Sequence, residues 1–224
     1  MTETDNYKIE LARANVYGFF SRMFSNSPTD KVLKKLFTPE TAAYIKQILP
    51  EDENWFLYEQ LTSYYNNGEL TTDDIQLDFE SLMRVPGPSY VYPYESSYAE
   101  ISNSKGNKRW GDQSHEIKSA VGKFYRIEEL CADSKVIDFP DHIGAELEYM
   151  SHLSKMIIKA EKYNDTISIQ KNRKKQIAFA KAHLLRWVYT FSDQIGEKAL
   201  TPFYKWISGI LTLFMKKEER RFNG

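Results

Sequence analysis

Residues 71–98 read TTDDIQLDFESLMRVPGPSYVYPYESSY, and the change of pattern inside this stretch decides the fold class. Thr71, Asp73 and Asp74 stand where a helix cap and its dipole partners belong, and Ile75, Phe79, Leu82 and Met83 recur on one helical face. Pro86 ends the run. The fourteen residues that follow from Val85 to Tyr98 hold three prolines, one glycine and four tyrosines (90, 92, 94 and 98). A helix thus runs directly into a stiff, tyrosine-lined loop.

Toward the N-terminus the same period persists. Ile9, Leu11, Val16, Tyr17, Phe20, Met23 and Phe24 mark a helix over 7–24, SNSPTD stops it, and a short successor covers Lys31 to Phe37. TPETAAYIKQIL opens with Pro39 in a first turn, and ENWFLYEQLTSYYNNGEL closes at Asn-Asn-Gly, which predicts two more helices. Toward the C-terminus, SNSKGNKRWGDQS is a second loop, so that loops span 85–113. Helices are predicted from about Ser114 to Leu130, Asp141 to Lys162, Ile169 to Ile195 and Lys198 to Arg221. No sustained alternation or fixed-length repeat is present. The reading is an all-α, single-domain bundle of about nine helices over 1–224.

Composition narrows the function. With 30 Lys plus Arg against 31 Asp plus Glu, no broad basic field is available, and nucleic acid is not expected as a partner. The single cysteine, Cys131, excludes an internal disulfide framework and a cysteine-cluster metal site, and fits a reducing compartment. The opening MTETDNYKIELARANVYGFF is not read as a secretory leader, and no stretch approaches the roughly 20 apolar residues of a membrane span. A cytoplasmic protein without stable membrane insertion is therefore expected. Aromatic residues make up 14% of the chain. For most of them a core role is the plain reading, with a binding groove as the alternative.

The ionisable groups concentrate in PDHIGAELEYMSH, residues 140–152. Asp141 occupies the position of a helix N-cap, and His142 with Glu146, and Glu148 with His152, share faces at i, i+4. Glu-x-x-x-His occurs once, whereas a di-iron bundle needs Glu-x-x-His twice and two further glutamates, so no metal is expected. Gly-x-Ser-x-Gly, Walker-type and Gly-x-Gly-x-x-Gly patterns are absent, and four histidines leave little material for acid–base catalysis. The basic runs QKNRKKQ (170–176) and KKEERR (216–221) read as solvated helix faces, with contact to an acidic partner as the alternative.

Four motifs in order and register, FESLMRVPGPSYVYPYESSY, RWGD, FPDHIGAELEYM and AHLLRWVYTFSDQIGEKALTPFYKWISGIL, resemble the TorD/DmsD/NarJ family of chaperones for exported molybdoenzymes. The likeness is plain over about 75–215. It implies an all-α protein, not an enzyme, that binds the twin-arginine leader and catalytic subunit of a molybdopterin-dependent reductase, assists cofactor insertion and delays export until the cofactor is in place. Phe79 and Leu82 fall on the family's aromatic-x-x-Leu, and Pro93, Tyr94, Ser96 and Tyr98 on its Pro-aromatic-x-Ser-x-aromatic element. Gly111 falls on its loop glycine, and Asp141 and His142 on its Asp-His pair. His183, Trp187, Pro202, Phe203 and Tyr204 match the C-terminal motif, with Trp187 and Phe203 expected to pack. Tyr94-Glu95-Ser96 is closer to the TorD branch.

A leader with two guanidinium groups and an apolar stretch calls for aromatic rings with carboxylates near one end. Tyr90, Tyr92, Tyr94 and Tyr98 supply the rings, and Glu95, Asp141, Glu146 and Glu148 the guanidinium partners. Alternatively, Asp141 caps its helix while His142 hydrogen-bonds across to the loop. The resemblance also allows weak guanine-nucleotide binding, no other cofactor, and a monomer or a domain-swapped dimer hinged near 130–140. The competing reading is a nucleotide-hydrolysing enzyme that uses His142 with Asp141 or Glu146. A subunit built permanently into a larger complex is a third.

Overall fold

A computed structural model of the chain describes residues 3–48, 53–98, 110–127 and 139–224. Ten α-helices account for most of them, and the described residues include no strand, only an isolated bridge between Tyr94 and His142. The chain is all-α, as its periodicity predicts. The described helices group into two compact units, one of 1–25 with 93–188 and one of 26–92 with 189–224. Cys131 and most of the hinge expected near 130–140 lie outside the described residues.

The first unit is built on α1 (Glu3–Ser25), α6 (Trp110–Ile127), α7 (Ile143–Lys162) and α8 (Thr166–Ala182). Helix α1 lies antiparallel on α7: Ser21 Oγ donates to the Gly144 carbonyl at 2.8 Å, and Ser151 Oγ to that of Ala14, also at 2.8 Å. Small residues make this approach possible. A Cβ on Gly144 would overlap Ser25 Oγ and come within 3.1 Å of the Ser21 carbonyl oxygen, and one on Gly18 would meet Ser151 Oγ at 3.3 Å. Tyr17, Phe20 and Phe24 of α1 and Leu147, Leu153 and Ile157 of α7 are buried. Each such side chain contributes about 1.5–3 kcal/mol on burial.

After α7 a three-residue turn, with Asn164 at φ 52°, reverses the chain into α8. Tyr149 and Phe179 then meet at 4.6 Å between ring centres, with Phe124 and Tyr125 of α6 completing the cluster. A buried pair, Glu10 and Arg13, is tied by Arg13 to Gln176 Oε1 at 3.0 Å, and Gln176 donates in turn to Ser154 Oγ at 2.9 Å. These bonds satisfy charges that would otherwise be very unfavourable at this depth.

The second unit holds α2 (Asp30–Leu36), α3 (Pro39–Ile48), α4 (Glu53–Asn66), α5 (Thr72–Met83), nearly all of α9 (Val188–Lys198) and α10 (Pro202–Asn223). Helix α5 starts with a full capping box between Thr71 and Asp74. Tyr58 packs on Trp206 at 5.1 Å and donates its hydroxyl to the Leu36 carbonyl at 2.7 Å. Asp78, 1% exposed, accepts from the N–H groups of Leu200 and Thr201 and from the Thr201 hydroxyl, at 3.0, 2.8 and 2.6 Å. It thereby holds the turn between α9 and α10 against α5.

Two predicted boundaries are corrected. The helix expected from Ser114 begins at Trp110, which moves Gly111 from a loop into the first turn of α6. The single helix expected over Ile169–Ile195 is two, α8 and α9, separated at His183 (φ −129°, ψ −86°) and by a 3-10 turn over Leu184–Arg186. Leu184, Trp187 and Val188 keep helical spacing across the break, so periodicity alone does not reveal it. With the break, the α-helices among the described residues number ten, against the nine or so expected.

Candidate functional site

The C-terminal half of the proline loop is fastened to the start of α7 by backbone. Ile143 N–H donates to the Pro93 carbonyl and Glu95 N–H to the Asp141 carbonyl, both at 2.9 Å, forming the bridge between Tyr94 and His142. A 3-10 turn, Glu95–Ser97, follows immediately. The cap is not Asp141. His142 is the N-cap of α7, its Nδ1 accepting from Gly144 N–H at 3.0 Å, while Asp141 Oδ2 accepts from Ser96 N–H across the bridge at 3.2 Å. The roles expected of the two residues are exchanged. Bridge geometry brings Asp141 alongside the loop, and the next residue is the last before the helical turn.

Burial lowers the His142 pKa to about 4, with Asp141 opposing the shift. The imidazole is neutral at pH 7, as its role as acceptor requires. Tyr94 lies half-buried against the rings of His142 (5.4 Å) and Phe139 (5.5 Å), and Lys118 Nζ sits 5.8 Å over Phe139.

Below the bridge is a set of buried acids. Glu95 is 4% exposed and hydrogen-bonds His183 Nδ1 at 2.9 Å; Asp141 and Glu146 are fully buried. Trp187 Nε1 donates to Glu146 Oε2 at 3.2 Å, whereas Glu146 Oε1 and Asp141 Oδ1 accept from no donor among the described residues. Burial pushes the Glu146 carboxyl well above the ordinary range, and the neighbouring charges of Glu95 and Asp141 push it further against the Trp187 bond. A Glu146 that holds its proton is the arrangement that full burial among other acids imposes. His183 and Trp187, matched to the C-terminal motif, thus do more than pack: their ring nitrogens hold two of the three acids.

The remaining expected site residues are placed as follows. Phe79 and Leu82 are buried in the core of the second unit, at 1% and 0% exposure, where they support the loop from beneath. Val91 N–H bonds the Leu82 carbonyl at 2.8 Å, and Lys198 Nζ the Tyr90 carbonyl at 2.9 Å, so this end of the loop is also anchored. Tyr90 meets Tyr92 edge-on at 5.0 Å, and Tyr92 is 57% exposed. Pro93 is buried, and Ser96 and Tyr98 are half-buried; Tyr98 lies 5.1 Å from Trp187. Glu148 is the accessible acid of the group and pairs with Lys155 at 3.2 Å. Leu77, Val85 and Leu200, exposed in the second unit, were not singled out from the sequence; an apolar residue on a helix's polar side is the signal that marks Leu77. Among the described residues no group of three His, Cys, Asp or Glu side chains is placed to hold a metal ion, and no helix is long and apolar enough to cross a membrane.

An all-α chain whose proline–tyrosine loop is bound to an Asp-His helix start belongs to a recognisable class. The chain is a member of the family described as nitrate reductase delta subunit, which matches residues 51–193. Its relatives include the chaperone protein TorD of Colwellia psychrerythraea, 24% identical over 92% of this chain and 89% of the relative. They also include the proteins of that name from Shewanella piezotolerans (22%; 90% and 87%) and Vibrio atlanticus (23%; 95% and 95%). The resemblance read from the motifs is borne out. No solved structure matches the chain significantly.

Proposed function

We propose that this protein is a cytoplasmic maturation chaperone that binds the twin-arginine leader and catalytic subunit of a molybdopterin-containing oxidoreductase, assists cofactor insertion and delays export until it is complete. The observation that carries the reading is likeness to chaperones over about nine-tenths of both chains, together with family membership over 51–193. Physical chemistry supports the leader as ligand. Leu77, Val85, Tyr92 and Leu200 expose 57–70% of their surface in one unit, an apolar supply suited to the leader's hydrophobic stretch. Of the acids, Glu148 is the accessible one, and a guanidinium there would take the place of Lys155. Glu95, Asp141 and Glu146 become available only when the 3-10 turn parts from the start of α7.

The enzyme alternative has less support. Nδ1 of His142 is engaged by Gly144 N–H, and burial makes Glu146 hold its proton, so neither is placed to serve as base in the arrangement described.

Calorimetric titration with synthetic twin-arginine leaders of reductases from the same genome tests the proposal. One leader should bind with micromolar or tighter affinity. Replacing its arginines by lysine, or Tyr92 by Ala in the protein, should weaken binding about tenfold, the loss of one bidentate pair or one ring anchor. Asp141→Ala and Tyr94→Ala report on the bridge. Absence of binding to every leader by a folded protein would move the client contact to the mature subunit.

A further inference from the structure

Helix α8 carries Lys171, Arg173, Lys174, Lys175 and Lys181 and no acidic residue at all, in a chain whose net charge is −1. Some basic side chains of other helices are offset locally, as Lys34 is by Asp30 and Arg84, the C-cap of α5, by Glu80 at i, i+4. Of the acids near α8, Asp165 accepts from Ser168 N–H as the N-cap, and Glu161, 3.8 Å from Arg173, offsets that one charge of the helix.

Two further observations fall at the same place. The turn into α8 exposes Tyr163 by 76% and Ile167 by 79%, the highest exposures of large apolar side chains among the described residues. Ile167 sits in a first helical turn, where an acidic residue would favour the helix and an exposed isoleucine contributes nothing. Beside them lies a concave pocket of about 520 Å³, lined among others by Tyr7, Lys162, Asn164, Ile169, Gln170 and Arg173. That volume suits one or two peptide side chains.

We infer that the α7–α8 turn, with the pocket between Tyr7, Lys162 and Arg173, is a docking surface for an acidic protein segment that also carries an apolar side chain. The carboxylates would meet Lys162, Arg173 and the exposed lysines of α8, and the apolar side chain would cover Tyr163 and Ile167. Charge complementarity sets the occupant's sign. A chain of net charge −1 offers no broad basic field to a phosphate backbone, and a concave pocket does not fit a flat lipid surface. This surface shares no residue with those assigned to the leader, and the inference does not depend on that reading.

The test is fluorescence anisotropy of the full-length protein with a labelled synthetic peptide of about twelve residues, rich in Asp and Glu with one Leu and one Trp. Its Asn/Gln counterpart, a single-stranded DNA of similar charge and phosphatidylserine vesicles are the other arms. The acidic peptide should bind in the tens of micromolar, the neutral one at least tenfold more weakly, and affinity should fall as salt rises. Lys162→Glu with Arg173→Glu should reduce binding tenfold or more and Ile167→Asp at least threefold. Because Arg173 is half-buried, Lys162→Glu with Gln170→Glu, both exposed, serves as the second variant, with the urea midpoint measured for each. Leader titration should be unchanged throughout. Equal binding by wild type and both charge-reversed variants would overturn the inference, as would DNA or vesicles binding as tightly as the acidic peptide.

Discussion

At the scale of residues, the start of α7 makes folding sensitive to pH in two opposite senses. His142 is protonated in the folded chain only below about pH 4, against about 6.5 when unfolded. The unfolded chain therefore binds the extra proton in that window, and stability falls as pH drops from about 6.5 toward 4. Glu146 has the reverse sign. Its folded carboxyl keeps a proton that the unfolded chain releases above about 4.5, so its contribution is fully present at low pH and is lost as pH rises through the folded value. His142→Asn retains an acceptor suited to the cap but does not titrate. Urea unfolding of this variant should show a flattened acid limb between about pH 6.5 and 4, with the unfolding free energy at pH 8 changed by no more than about 0.5 kcal/mol. An unaltered acid limb would exclude His142 as the titrating group. That Asp141 and His142 matter as a pair is legible from their motif. Which one caps is decided by one residue of register in the bridge, and propensity ranks Asp above His for that position.

Between elements, the least legible contact is the most consequential for the second unit. Asp78 comes after two exposed acids of α5, Asp73 and Asp74, and looks like one more surface acid, yet it is buried with three donors from Leu200 and Thr201. Asp78→Ala leaves those donors without an acceptor and should reduce stability by about 2–4 kcal/mol, whereas Asp73→Ala on the exposed face should change it by less than about 0.5. Comparison of urea midpoints distinguishes the two. The same limit explains the missed break between α8 and α9. Side chains on both sides of His183 keep the helical period, and what accompanies the break is pairing of His183 and Trp187 with Glu95 and Glu146, 88 and 41 residues away in sequence. The capping box of α5, by contrast, spans three residues and is readable directly.

For the molecule as a whole, each unit is assembled from two segments that are remote in sequence. Helix α1 needs α7, and α4 and α5 need α10. A cut after Tyr92 therefore separates both units from part of their cores, although it falls in a loop. The fragment 1–92 should lack a cooperative urea transition by circular dichroism, and co-expression with 93–224 should restore one. Cooperative unfolding of 1–92 alone would show that its helices need neither partner.

The sequence by itself determined the all-α class, most helix boundaries to within a few residues, the position of the proline–tyrosine loop and the family, because these depend on local period, caps, prolines and motif order. Tertiary structure alone decided that Phe79 and Leu82 lie in a core, that His142 rather than Asp141 caps α7, that His183 and Trp187 hold buried acids, and that Tyr163 and Ile167 stay exposed. Burial and pairing across 40 or more residues depend on which faces meet, and no window of local sequence contains that information.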